Sequence, residues 1–101
     1  MAGIDKDLLA DPVLHFFAEI SKIPRCSGNE KAISDYLVSF ARARNLEVEQ
    51  DKSLNVLIKK PAFPGYENAP TVIIQGHMDM VCDKNKSKEH NFETDPIELR
   101  V

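Results

Sequence analysis

Three consecutive β-branched residues, Val72, Ile73 and Ile74, constrain this chain more than any other feature of it. A strand with one face in water alternates apolar and polar residues, whereas a run apolar at every position is the mark of a strand covered on both faces. Residues 71–75 are therefore expected to form the central buried strand of an α/β fold, two helices packed on a mixed sheet. Gly76 follows at once and permits an unusual backbone path, and then come His77 and Asp79. Ligand sites on open α/β sheets lie at the carboxyl ends of strands, and residues two apart on an extended chain share a face. An imidazole that binds a metal through one nitrogen commonly donates its other N–H to a carboxylate, which fixes the tautomer. His77 is thus a candidate metal ligand, and Asp79 its supporting carboxylate or a ligand itself. The same spacing also suits a structural His–Asp hydrogen bond at a strand end.

The remainder of the chain reads as scaffold. Asp11 and Pro12 suit the N-cap and first position of a helix, with Val13, Phe16, Phe17 and Ile20 on one apolar face and Leu14 widening it. The Ile23–Pro24 pair ends that helix, because the residue before a proline avoids the helical region. Ser27 and Glu30 have the spacing of a capping box. The helix they introduce carries Ala32, Ile33, Tyr36, Leu37, Phe40 and Ala41 on one side, and Lys31, Asp35, Arg42 and Arg44 mostly on the other. Asn45 suits its C-terminal stop. Residues 46–50 and 54–59 alternate as half-buried strands around a turn at Asp51, Lys52 and Ser53, which predicts an antiparallel hairpin. Residues 61–70 hold three prolines and a glycine and read as a loop. Ile97, Leu99 and Val101 alternate with Glu98 and Arg100 as a further strand, and a sequence that stops inside such a pattern reads as a fragment. A sheet cut there is expected to expose an edge and an apolar face, and so to self-associate.

Charge and composition exclude several classes. The 101 residues carry a net charge of −3, with basic and acidic residues interspersed; nucleic-acid binding needs a basic face and is not expected. Lys84, Lys86 and Lys88 lie between Asp83 and Glu89 and read as a solvated loop. No apolar run approaches the ~20 residues of a membrane span, and the N-terminus lacks the basic and apolar regions of a secretion signal. Cys26 and Cys82 do not make a disulfide framework, so both are expected to be reduced thiols in the cytoplasm. A nucleophilic Cys82–His77 pair lacks any visible base or oxyanion hole, and a structural zinc site from the same two residues lacks its second pair of ligands. His15, beside the first helix's apolar stripe, and His90, in a polar loop, are expected to be solvent-facing.

The stretch QGHMDMVCDKN at residues 75–85 closely resembles the first metal motif of the aminoacyl-histidine, or cytosolic non-specific, dipeptidases. These form a branch of the dinuclear zinc amidohydrolases that include aminoacylase and glutamate carboxypeptidases. Two further stretches are similar to that branch, IPRCSGNE at residues 23–30 and HNFETDPI at residues 90–97. The resemblance implies the N-terminal part of a zinc-peptidase catalytic domain that hydrolyses dipeptides, including those ending in histidine. It implies His77 as a ligand of one of two divalent ions (zinc, with cobalt or manganese as substitutes) and Asp79 as the catalytic-site carboxylate that orients it. It further implies a water activated between two metals and a glutamate moving the proton. The bridging aspartate, the glutamate pair and the remaining ligands have no counterpart among these residues, so the isolated chain is expected to be inactive. The alternative is a non-catalytic α/β interaction domain in which His77 and Asp79 serve structure.

Overall fold

Three stretches of the described residues are helical. The computed structural model describes residues 6–100, with helices α1 (Lys6–Leu9), α2 (Pro12–Ser21) and α3 (Lys31–Ala43) followed by strands β1 (Glu47–Gln50) and β2 (Val56–Lys59). These residues divide into two units, Met1–Ile33 with Asp79–Val101, and Ser34–Met78. No helix of the described residues is long and apolar enough to cross a membrane.

In the first unit, the Asp11 side chain caps α2 by accepting from the Val13 amide at 2.8 Å, and Pro12 occupies the first turn. The buried face differs from the one expected. Ala18 and Ser21 are buried, whereas Val13 and Phe17 are exposed and Phe16 and Ile20 are half-buried. Small residues define the face because backbone lies close to it: Ser21 O accepts from the Ile97 amide at 2.9 Å. The Ser21 hydroxyl turns back to donate to Phe17 O at 2.7 Å, so its burial leaves no polar atom wanting. His15 is exposed, as expected.

In the second unit, α3 ends at Asn45, whose φ of 56° lies in the left-handed region that asparagine tolerates. Leu46 N donates to Ala41 O at 2.9 Å and Asn45 N to Arg42 O at 3.1 Å, the paired bonds of a Schellman stop. The Arg44 guanidinium lies 3.6 Å over the Phe40 ring while donating to Phe40 O, so it both shields the ring and occupies an end carbonyl. β1 and β2 pair antiparallel, with Val48 opposite Ile58 and Gln50 opposite Val56. Asp51 holds the turn between them: one oxygen accepts from the amides of Ser53 and Asn55, the other from the Asn55 side chain, all at 2.9 Å. These bonds, that from the Asn55 side chain foremost, lower the Asp51 pKa. Leu54 takes a φ of 70° to complete the turn, so β2 begins at Val56 rather than at residue 54. Ser34, fully buried on α3, donates to Leu54 O at 2.7 Å and accepts from Gln50 Nε2 at 2.8 Å. Ser34, Val38 and Ala41 are the buried residues of α3 in this unit.

The sheet differs from expectation. Among the described residues it is two-stranded and antiparallel, not mixed. Residues 71–75 form no strand, and Val72, Ile73 and Ile74 are 83, 82 and 95% exposed. A strand apolar on both faces needs a neighbour on each edge and a layer on each side, and the described residues provide neither. Residues 96–100 are also without strand structure, for want of a ladder partner; Val101 lies outside the described residues.

Candidate functional site

The Gly76–Asp79 stretch leads out of the exposed apolar segment. His77 is exposed, at the end of the second unit, and Asp79 opens the returning segment of the first unit half-buried. A loop from the N-terminal side of α3 meets that segment. Gly28, with a φ of 89°, turns the loop, and the Asn29 amide closes the turn onto Cys26 O at 2.8 Å. Residues 25–27 then run beside residues 79–82 as an isolated parallel bridge between Cys26 and Met80. Met80 N donates to Arg25 O at 2.8 Å and Ser27 N to Met80 O at 3.1 Å.

This bridge sets the position of Asp79. The Ser27 hydroxyl donates to Asp79 Oδ2, which fixes one carboxylate oxygen by a charge-assisted contact. Ser27 was expected to cap α3, but that helix starts at Lys31. Glu30 Oε1 accepts instead from the Gly28 amide at 2.6 Å, so the capping-box pair serves the loop and its clasp on Asp79. Sequence spacing could not reveal this role, because Ser27 and Asp79 are 52 residues apart.

The expectation of two free thiols is overturned. Cys26 and Cys82 are joined as a disulfide, with Cα atoms 5.5 Å apart. The physical reason is the parallel bridge, which brings the two backbones within the 4.4–6.8 Å that a disulfide spans. Neither cysteine is thus a zinc ligand or a nucleophile in this form. Beside the bridge lies a groove of about 950 Å³, lined in part by Arg25, Met80, Lys88, His90, Phe92 and Ile97. His90 is half-buried there rather than solvent-facing, its ring centroid 5.0 Å from that of Phe92.

Among the described residues no group of three or more His, Cys, Asp or Glu side chains is placed to hold a metal ion. His77 and Asp79 therefore do not by themselves amount to a metal centre, which ordinarily takes at least three protein ligands.

No family model matches the chain. It is 41% identical over 91 residues to the cytosol non-specific dipeptidase of Escherichia coli K12, covering 90% of this chain and 19% of that protein. It is 27% identical to a probable carboxypeptidase of Aspergillus flavus, over 91% of this chain and 24% of the relative. The crystal structure of aminoacylhistidine dipeptidase from Vibrio alginolyticus superposes with a TM-score of 0.87 at 41% identity, covering 93% of this chain and 19% of that one. The chain spans about a fifth of the length of these dipeptidases. Nearly all of it matches them in sequence and in backbone, and the matched relatives are hydrolases. Over about nine tenths of its length the chain is similar to the aminoacyl-histidine, or cytosol non-specific, dipeptidases, matching about a fifth of each.

Proposed function

We propose that the chain is the N-terminal portion of the catalytic domain of a cytoplasmic, dinuclear metal-dependent dipeptidase, whose substrates include Xaa-His dipeptides. The observation that carries this reading is the 41% identity to a dipeptidase over nine tenths of the chain, with Gly76, His77 and Asp79 inside the matching motif. His77 is the proposed ligand of one divalent ion, zinc or in its place cobalt or manganese. Asp79 is the proposed carboxylate that holds the imidazole, itself held by the Ser27 hydroxyl. The described side chains do not complete a metal centre, so no hydrolytic step is assigned to the isolated chain.

The test is a graft. Residues 1–101 replace the matching stretch of the Escherichia coli dipeptidase, and hydrolysis of an Xaa-His dipeptide is measured. The graft is expected to hydrolyse it. Asp79→Asn should lower activity roughly 10- to 100-fold, as loss of a ligand-orienting partner does, and His77→Ala by at least as much. A folded graft whose activity ignores both substitutions would sink the reading. The chain alone is expected to show no turnover above its own His77→Ala control.

The Ser27–Asp79 hydrogen bond favours one second reading, an interaction domain in which Asp79 only fastens two segments. Zinc titration separates the two: under that reading, heat evolved by the graft is unchanged by His77→Ala.

A further inference from the structure

The disulfide and the Asp79 clasp are built on the same few residues. Cys26 adjoins Ser27, the donor to Asp79; Cys82 lies three residues beyond Asp79; and the bridge at Met80 is between them. Beside the disulfide, Met80 N donates to Arg25 O and Ser27 N to Met80 O, and the Ser27 hydroxyl reaches Asp79 and Met80 O. The sulfurs are not equivalent. Cys82 is exposed while Cys26 is half-buried; each sulfur has a carbonyl oxygen near it, Phe92 O at 3.7 Å from Cys26 Sγ and Met80 O at 3.9 Å from Cys82 Sγ. A thiolate arriving from solvent meets Cys82 first. The thiol released at Cys26 then has a carbonyl acceptor in place.

We propose that Cys26 and Cys82 are a reversible thiol–disulfide exchange site, reduced by a dithiol, and that its state sets how firmly the Ser27 loop holds Asp79. The exchange balances in two steps. One thiolate of the dithiol attacks Cys82 Sγ, and the S–S bond breaks with its electron pair leaving on Cys26, which takes up a proton. The second thiol of the dithiol, deprotonated, attacks the mixed disulfide and releases Cys82, which is protonated in turn. The protein gains two electrons and two protons, and the dithiol becomes its own disulfide. Disulfides that persist in cytoplasmic proteins are usually transient, catalytic or redox-sensing; this part of the argument rests on the cytoplasmic dipeptidase reading above. The geometric part does not.

The experiment uses the 101-residue chain, equilibrated across ratios of reduced to oxidised dithiothreitol. Thiols are tagged with a maleimide and counted by mass, while amide hydrogen exchange is followed by NMR. The expected result is a single transition between untagged and doubly tagged protein. In the dithiol form the Ser27 and Met80 amides should exchange at least threefold faster than in the disulfide form, with α3 and the β1–β2 hairpin unchanged. Cys26→Ser and Cys82→Ser should each exchange like the dithiol form. A change below threefold at both amides overturns the proposal, as does a pair that dithiothreitol cannot reduce or that fails to re-form. Protection lost equally through α3 and the hairpin also overturns it, because the disulfide is then a staple for the whole chain. Failure of the dipeptidase reading appears only in the graft assay and moves neither the thiol count nor the amide rates.

Discussion

Ile33 and Ile73 are the same residue in opposite circumstances. Ile33, on α3, is 2% exposed; Ile73, in the apolar run before His77, is 82% exposed. The α3 region obtains its cover and its polar partners locally. Ser34, Leu54 and Gln50 satisfy one another across the helix and hairpin, and Asp51 and Asn45 fix the turns. The 71–77 segment has the composition of a strand buried on both faces but no ladder partner or covering layer among the described residues. A period-2 alternation specifies a structure its own neighbours can complete. A continuous β-branched run specifies an environment, and that must come from elsewhere.

Substitution should expose the contrast. Ile33→Ala removes side-chain volume from a packed site and is expected to cost about 2–5 kcal/mol, read by urea denaturation; under 1 kcal/mol would mean that the α3 face is loosely packed. Ser34→Ala strands the Leu54 carbonyl and leaves Gln50 Nε2 with its bond to Asp35 Oδ1. The expected loss is about 1–3 kcal/mol, seen by the same measurement and as faster exchange around Leu54. Acid should act on the hairpin through Asp51, whose folded pKa is lowered chiefly by the Asn55 side chain. Because the folded value is the lower one, this contribution is complete above the ordinary aspartate range and is lost as pH falls through the folded pKa. The Ser53 and Asn55 amide shifts should report that loss, and Asp51→Asn should abolish the pH dependence.

Ile73→Ala should fall within about ±0.5 kcal/mol, as an exposed position does. Its partner variant Ile73→Lys tests the other side of the comparison. An exposed apolar run is expected to draw copies together, so sedimentation velocity should show concentration-dependent association in the native sequence and less of it with the lysine. Equal behaviour of the two would leave the segment without a role in association.

The parts legible in the sequence are those determined by near neighbours. The Asp11 cap, the Asn45 stop, the antiparallel hairpin and the loop at 61–70 all rest on residue types acting within a few positions. His77 and Asp79 were singled out by spacing and by the motif around them, but the clasp on Asp79 was not. Ser27 carries an equally good signal for capping a helix, and only the parallel bridge, closed across more than fifty residues, diverts it to a carboxylate. The disulfide escaped for the same reason, since two cysteines 56 apart carry no local sign of meeting. On α2 the apolar stripe indicated a helix but misjudged its buried face, because backbone contact at Ser21 favours small side chains there.

The Schellman stop at Asn45 has a consequence for the order in which the chain folds. It reverses the chain immediately after α3, so the helix–hairpin corner closes through contacts no more than 20 residues apart, such as Ser34 with Leu54. Local closures of that kind take on the order of microseconds. A ribosome adding about 5–20 residues per second needs roughly 1.4–5.6 s to cover the 28 positions from Leu54 to Cys82. The corner therefore has time to form before the second cysteine is made, and the covalent link closes around a segment that has already taken its shape.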